Sequence, residues 1–231
     1  MHVPLSLCVV SCALMFAPQA AAQAAAQTPD FNVTRLASID EHNAYSNIWG
    51  YVAPDGREYA LLGSRLGTVI YNATDPLHVE EVGFFPSTQC LWRELKAYGH
   101  YVYVVNDCSG GVEVIDMADP QQPVLVNTFG VSLLKHAHTV SVDLATGKLY
   151  ACGTDAGLAI YDLAVNPVNP PLVTTWQGQG VPSAGGLTGY SHDLSIRDGL
   201  VHLGMIQDGY YAILDVSHLP QISVVSVTES P

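Results

Sequence analysis

Three short stretches of the chain hold side chains able to bind or transfer. Trp92-Arg93-Glu94 sets an aromatic ring, a guanidinium and a carboxylate in a row, His136-Ala137-His138 spaces two imidazoles by one residue, and His192-Asp193 joins an imidazole to a carboxylate. Imidazole and carboxylate are usual ligands of a divalent cation, and a site of three protein ligands leaves one position for water or substrate. His138, His192 and Asp193 are the set that could hold such an ion. Trp49 and Trp92 add flat apolar surface with one polar edge. Each residue also has a plainer use. A histidine at the start of a buried strand commonly satisfies a neighbouring carbonyl, and Arg93 can neutralise Glu94 or Asp193. No Gly-x-Ser-x-Gly, Walker-type or His-Glu-x-x-His pattern occurs, so the common hydrolase and nucleotide signatures are missing.

What must position these groups is a repeat. Gly67–Pro76, Gly111–Pro120, Gly157–Pro167 and Gly209–Pro220 are four copies of one phrase, and the aligned positions Asn72, Asp116, Asp162 and Asp215 stand 44, 46 and 53 residues apart. A second phrase precedes each copy, beginning at Gly56, Gly99, Gly147 and Gly199. Every unit reads as four short strands rich in Val, Ile and Tyr, separated by Gly, Asp and Pro turns. In the second unit they are Trp92–Ala97, Tyr101–Asn106, Gly111–Met117 and Pro123–Phe129. No apolar pattern holds a helical period for three turns. Four-stranded sheets of this size cannot bury both faces alone, and their radial stacking is an all-β β-propeller, with blades at about 44–87, 88–131, 135–179 and 189–229.

In that architecture the first strand of each blade is innermost. Its opening residues face the axis at one mouth: Trp49; Trp92, Arg93 and Glu94; His136 and His138; His192 and Asp193. The loops between second and third strands open on the same side and carry Asp107, Asp155 and Asp208 at matching positions, although aspartate is also an ordinary turn former.

The third-strand phrase, with Val-Ile-Tyr-Asn, Val-Ile-Asp, Ala-Ile-Tyr-Asp and Ile-Leu-Asp ahead of a proline, resembles the LVIVD repeat. Trp49-Gly-Tyr-Val with Gly56-Arg-Glu-Tyr-Ala-Leu, Trp92-Arg-Glu-Leu-Lys, His136-Ala-His-Thr and Gly189-Tyr-Ser-His-Asp are similar, over residues 44–217, to the choice-of-anchor B family of exported bacterial proteins. That resemblance implies a secreted or surface-held propeller and assigns no catalytic activity. Members of that family are longer than this chain and carry a C-terminal anchor.

Residues 1–27 stand apart from the repeats. An apolar run of 12 residues, Leu5–Phe16, is followed by small residues with cleavage positions after Ala22 or Ala26, the layout of a secretory signal peptide. The run is too short to span a bilayer as a helix. The remaining domain, 28–231, would then be exported to the periplasm, medium or cell surface. The 21 acids against 8 bases give a net charge of −13, which repels nucleic-acid phosphate and anionic lipid. A protein or a small molecule is left as partner, and terminal blades without a neighbour raise self-association, unless residues 30–43 complete the last sheet.

Cys90 and Cys108 each lie nine residues from Gly99, the centre of a hairpin, so ladder pairing places them opposite one another and predicts a disulfide. Cys152 is left as a buried thiol. Two functions fit: an extracytoplasmic binding or scaffold propeller, and a metal-dependent enzyme of hydrolase type built on the His and carboxylate cluster.

Overall fold

The computed structural model describes residues 32–182 and 189–230, so the leader predicted over residues 1–27 lies outside the described residues. Two compact units divide after Arg35, and the second, Leu36–Pro231, holds the sixteen strands found among the described residues. The first blade is β1 (Tyr45–Val52), β2 (Glu58–Ser64), β3 (Gly67–Asn72) and β4 (Glu80–Pro86). The second is β5 (Arg93–Tyr98), β6 (Tyr101–Asn106), β7 (Ser109–Asp116) and β8 (Val124–Phe129). The third is β9 (Thr139–Asp143), β10 (Lys148–Thr154), β11 (Gly157–Asp162) and β12 (Leu172–Trp176). The fourth is β13 (Asp193–Arg197), β14 (Leu200–Met205), β15 (Tyr210–Asp215) and β16 (Ser223–Glu229). Each blade is an antiparallel meander in sequence order, and no helix forms among the described residues.

The strands of the second blade fall within two residues of their sequence-based bounds. The aspartate or asparagine that ends each third strand has a specific use. Its side-chain oxygen accepts the backbone N–H two residues on: Asn72 from Thr74, Asp116 from Ala118, Asp162 from Ala164 and Asp215 from Ser217, at 2.8–3.1 Å. This Asx turn ends the ladder and starts the outward bend to the fourth strand. The repeat's most visible residue is therefore a turn device, and Asn72, which also matches a glycosylation sequon, spends its carbonyl the same way.

The second strands of the two middle blades are apolar on both faces because both faces meet another blade. In β6, Val102 and Val104 pack on Tyr59, Leu61 and Ile70 of the first blade, while the alternating Tyr103 and Val105 pack on Val140, Leu149 and Ala151 of the third. In β10, Leu149 and Ala151 turn back to the second blade, and Tyr150 and Cys152 turn forward to Val201, Leu203 and Leu214 of the fourth. Face-to-face stacking of this kind is what makes the sheets a propeller.

The innermost strands β1, β5, β9 and β13 touch in series, and among the described residues no comparable contact joins β13 back to β1. Each sheet supplies its own fourth strand. Residues 32–43 form no strand and complete none. Instead His42 lies on Phe84 with ring centroids 4.5 Å apart, and its Nε2 is 2.7 Å from Glu81 Oε2, both on β4.

Candidate functional site

At the mouth where the innermost strands begin, three blades bring their side chains together. Asp107 sits in the β6–β7 turn, its N–H on the Trp92 carbonyl at 3.2 Å. Its carboxylate lies between two imidazoles of the third blade, 3.7 Å from His136 Nδ1 and 3.5 Å from His138 Nδ1. His136 Nε2 reaches Asp155 Oδ1 in the β10–β11 turn at 3.1 Å. The His138 ring is stacked on His192 of the fourth blade, with centroids 4.5 Å apart and planes 34° from parallel. Trp92 stands edge-on to His138 at 6.0 Å, and Tyr190 flanks His192 at 6.2 Å.

Backbone chemistry explains why the rings meet. His138 donates its N–H to Cys152 O and His192 donates to Gly204 O, so each ring hangs from the start of its own hairpin. Thr139 Oγ1 donates to the His192 carbonyl at 2.8 Å, and Ser141 Oγ to the Leu194 carbonyl at 3.2 Å, tying β9 to β13. Gly153 holds φ at +64° directly against His138, where a Cβ would collide with the His138 Cβ.

The Nδ1 atoms of His136 and His138 are buried without a hydrogen-bond partner, because the Asp107 oxygens stand beyond hydrogen-bond reach. Among the described residues no group of three or more His, Cys, Asp or Glu side chains converges as metal ligands. Asp193, the carboxylate expected beside His138 and His192, accepts the Leu194 N–H on its Oδ1 at 2.7 Å. It lines, with Trp92, Glu94 and His138, a small cleft of about 190 Å³ below the rings.

Burial, and then the neighbouring His138, hold the His192 imidazole below its ordinary range, against the pull of Asp193 and Asp107. The folded chain therefore binds this proton less readily than the unfolded chain. His192 adds stability above its ordinary value near 6.5, and that contribution is lost as pH falls through that value toward the lower folded one. Denaturant midpoints measured from pH 7.5 down to pH 5 should fall, and His192→Gln should flatten the decline. An unchanged slope in the variant would show that another group drives it.

Two sequence-based placements need correction. Arg93 neutralises neither Glu94 nor Asp193. Its side chain turns away from the axis into the seam between the first two blades, 1% exposed, with Nε on Ser64 O at 3.3 Å and Nη2 on Thr88 O at 3.1 Å. Strand alternation forces this, since Arg93 and Leu95 share the face opposite Glu94 and Lys96. Glu94 instead holds Lys96 Nζ at 2.5 Å and accepts the Val140 N–H at 3.0 Å, linking β5 to β9. Trp49 is not at the mouth with Trp92. It pairs with Leu61 in the middle of β1, one strand irregularity after Tyr45, and stands level with Lys96. Asp208, the third loop aspartate, is 3% exposed and makes no contact with the histidines among the described residues. Its carboxylate has no hydrogen-bond partner among the described residues.

Three residues had not been singled out by sequence. Tyr190 adjoins His192 in the fourth-blade phrase. Lys96 follows Glu94 at i+2, the spacing that puts both on one strand face. Ser141 matches Lys96 in the register of the third blade.

The fold has known structural relatives. The periplasmic gluconolactonase of Pseudomonas aeruginosa aligns at a TM-score of 0.55 with 12% identity, over 78% of this chain and 53% of that one. A protein from Lactobacillus plantarum aligns at 0.57 with 13% identity, over 80% and 56%. The chain thus spans little more than half the length of these structures, and at such identity the likeness is one of fold. No curated protein matches the chain. Residues 93–130, from β5 to the end of β8, match the family model of the LVIVD repeat. They are an LVIVD repeat, in a chain with the β-propeller fold.

Proposed function

We propose that the chain is an extracytoplasmic binding propeller whose ligand, a small molecule or a protein segment, docks on the mouth formed by Trp92, His136, His138 and His192. The observation that carries this reading is the approach of His136 and His138 to Asp107 of the preceding blade, with His192 of the following blade stacked on His138 and the Nδ1 atoms of His136 and His138 left unpartnered. Buried polar atoms without partners are uncommon where they serve only packing. Trp92, 53% exposed beside them, offers a ring that the fold itself does not cover. The Cys90–Cys108 bridge and the leader-like residues 1–27 support an oxidising, extracytoplasmic setting. No helix among the described residues is long and apolar enough to cross a membrane.

A metal-dependent hydrolase on the same side chains is the competing reading, favoured by the free Nδ1 atoms. Activity lost with a chelator and restored by a divalent metal would select it. Binding is preferred because among the described residues no group of three His, Cys, Asp or Glu side chains converges at the mouth as a set of metal ligands.

Elemental analysis and native mass spectrometry of the purified chain and of His138→Ala/His192→Ala test both. The double variant should lose the bound species while unfolding stays cooperative and stability falls by only about 1 kcal/mol, as for partly exposed side chains. Retention of the bound species would remove the mouth as the site.

A further inference from the structure

Below the mouth, all four innermost strands line a second space of about 580 Å³, separate from the histidines. Its size falls in the range of small-molecule sites, roughly 300–1,000 Å³. One level of the repeat supplies its polar contacts. Trp49 on β1, Lys96 on β5, Ser141 on β9 and Ser195 on β13 occupy matching positions in the four hairpins. We propose that this axial cavity binds an uncharged ring compound bearing hydroxyl groups.

The charge of the ligand follows from Lys96. Its ammonium is the only charged group of the lining, and it is already held by Glu94 Oε1 at 2.5 Å and lies 4.4 Å from the centre of the Trp49 ring. An anion entering the cavity would meet the Glu94 carboxylate behind the ammonium, and a cation would meet the ammonium itself. A neutral molecule disturbs neither.

The ring follows from Trp49. Seated against Lys96, the indole is fixed in orientation yet remains 40% exposed. A fixed, partly uncovered indole is a platform for a flat or chair-shaped ring. Val52 and Leu144, 64% and 69% exposed, extend that apolar surface toward the opening. The hydroxyls follow from the two serines. Ser141 Oγ donates to the Leu194 carbonyl at 3.2 Å and keeps its lone pairs for a donor, while Ser195 has both roles open. A hydroxylated ring can be a phenol or a sugar, and the lining chemistry is shared by the two.

The test uses the full chain and the indole N–H resonances of Trp49, Trp92 and Trp176, with Trp49→Phe assigning the first. The probes are tyrosol, methyl glucoside and, as a charged counterpart, 4-hydroxyphenylacetate. Tyrosol or methyl glucoside should shift the Trp49 resonance saturably and leave Trp92 unmoved, which also says which source the ring comes from. Ser195→Val and Trp49→Ala should each weaken that binding by about tenfold or more. Ser195 is exposed, so its variant keeps the test valid if Trp49→Ala disturbs the fold. The proposal is overturned if neither neutral probe saturates, if 4-hydroxyphenylacetate binds as tightly as tyrosol, or if Ser195→Val binds like the parent.

Discussion

Arg93→Ala should destabilise the chain by about 3–5 kcal/mol, one of the two largest effects expected of it. The guanidinium is enclosed between the first and second blades, and three groups depend on it. The Ser64 and Thr88 carbonyls accept its hydrogen bonds, and Glu113 Oε2 on β7 stands 3.8 Å from Nη1. The other Glu113 oxygen accepts from Ser87 Oγ at 2.5 Å, so the carboxylate is anchored and cannot swing out to water. Removing the cation strands that largely buried carboxylate and leaves a cavity the size of the side chain. Burial lowers the Arg93 pKa and Glu113 raises it, the mark of a charge held by one partner against its own desolvation. Arg93→Met with Glu113→Gln removes both charges at once and should recover most of the loss. Arg93→Lys should recover little, because an ammonium lacks the planar fork that reaches two carbonyls. Urea denaturation of the four proteins decides it. A loss below about 1 kcal/mol in Arg93→Ala would mean that the seam is held by the apolar contacts of Leu61, Leu95 and Val104 instead.

The case of Arg93 also shows what a sequence of this kind discloses. Strands and blade limits were legible because every blade needs the same punctuation: an Asx turn after strand three, and a glycine turn ahead of a second strand with a buried apolar face. Those requirements are local and recur four times. The direction of a side chain at the first residue of an inner strand is set by one step of register, and a one-residue change reverses it. Arg93 falls on the seam side and Glu94 on the axial side for that reason alone. Trp49 was misplaced for a related reason. The sequence aligns Trp49 with Trp92 as an opening residue, whereas β1 already begins at Tyr45, so the indole lies in mid-strand, level with Lys96. The histidines were legible as a group because His138 and His192 begin equivalent hairpins and adjacent blades stack equivalent positions. That Asp107 would lie between His136 and His138 was not, since it depends on how far the β6–β7 turn of one blade leans over the next.

Replacing Cys90 and Cys108 together by alanine should cost about 3 kcal/mol, from the unfolded-chain entropy that a bridge across 18 residues removes. The hairpin reading placed the two cysteines symmetrically about Gly99, but the ladder pairs Tyr98 with Tyr101, so an extended ladder would set Leu91 against Cys108. The bridge forms because residues 87–92 have left the ladder, and the two Cα atoms stand 5.7 Å apart. Its position gives it a second effect. Cys108 follows Asp107 in the same turn and donates its N–H to Asn106 Oδ1 at 2.8 Å, while Asn106 Nδ2 donates to Thr88 O at 2.9 Å. Cys90, in turn, donates its N–H to Arg65 O of the first blade at 3.0 Å. The disulfide thus fastens the turn that carries Asp107 to the linker between blades. Without it Asp107 is free to leave His136 and His138, so a mouth ligand should bind several-fold more weakly, whereas a single Cys152→Ser change should leave that affinity alone. Cys152 is buried in the seam between the third and fourth blades, and burial pushes its thiol far above the ordinary range, which keeps it unreactive in the fold. Thiol titration of residues 28–231 under non-reducing, denaturing conditions should find one free thiol per chain. Two or more would break the assignment, and a stability loss below about 1 kcal/mol in the double variant would show that the turn is held by Asn106 without the bridge.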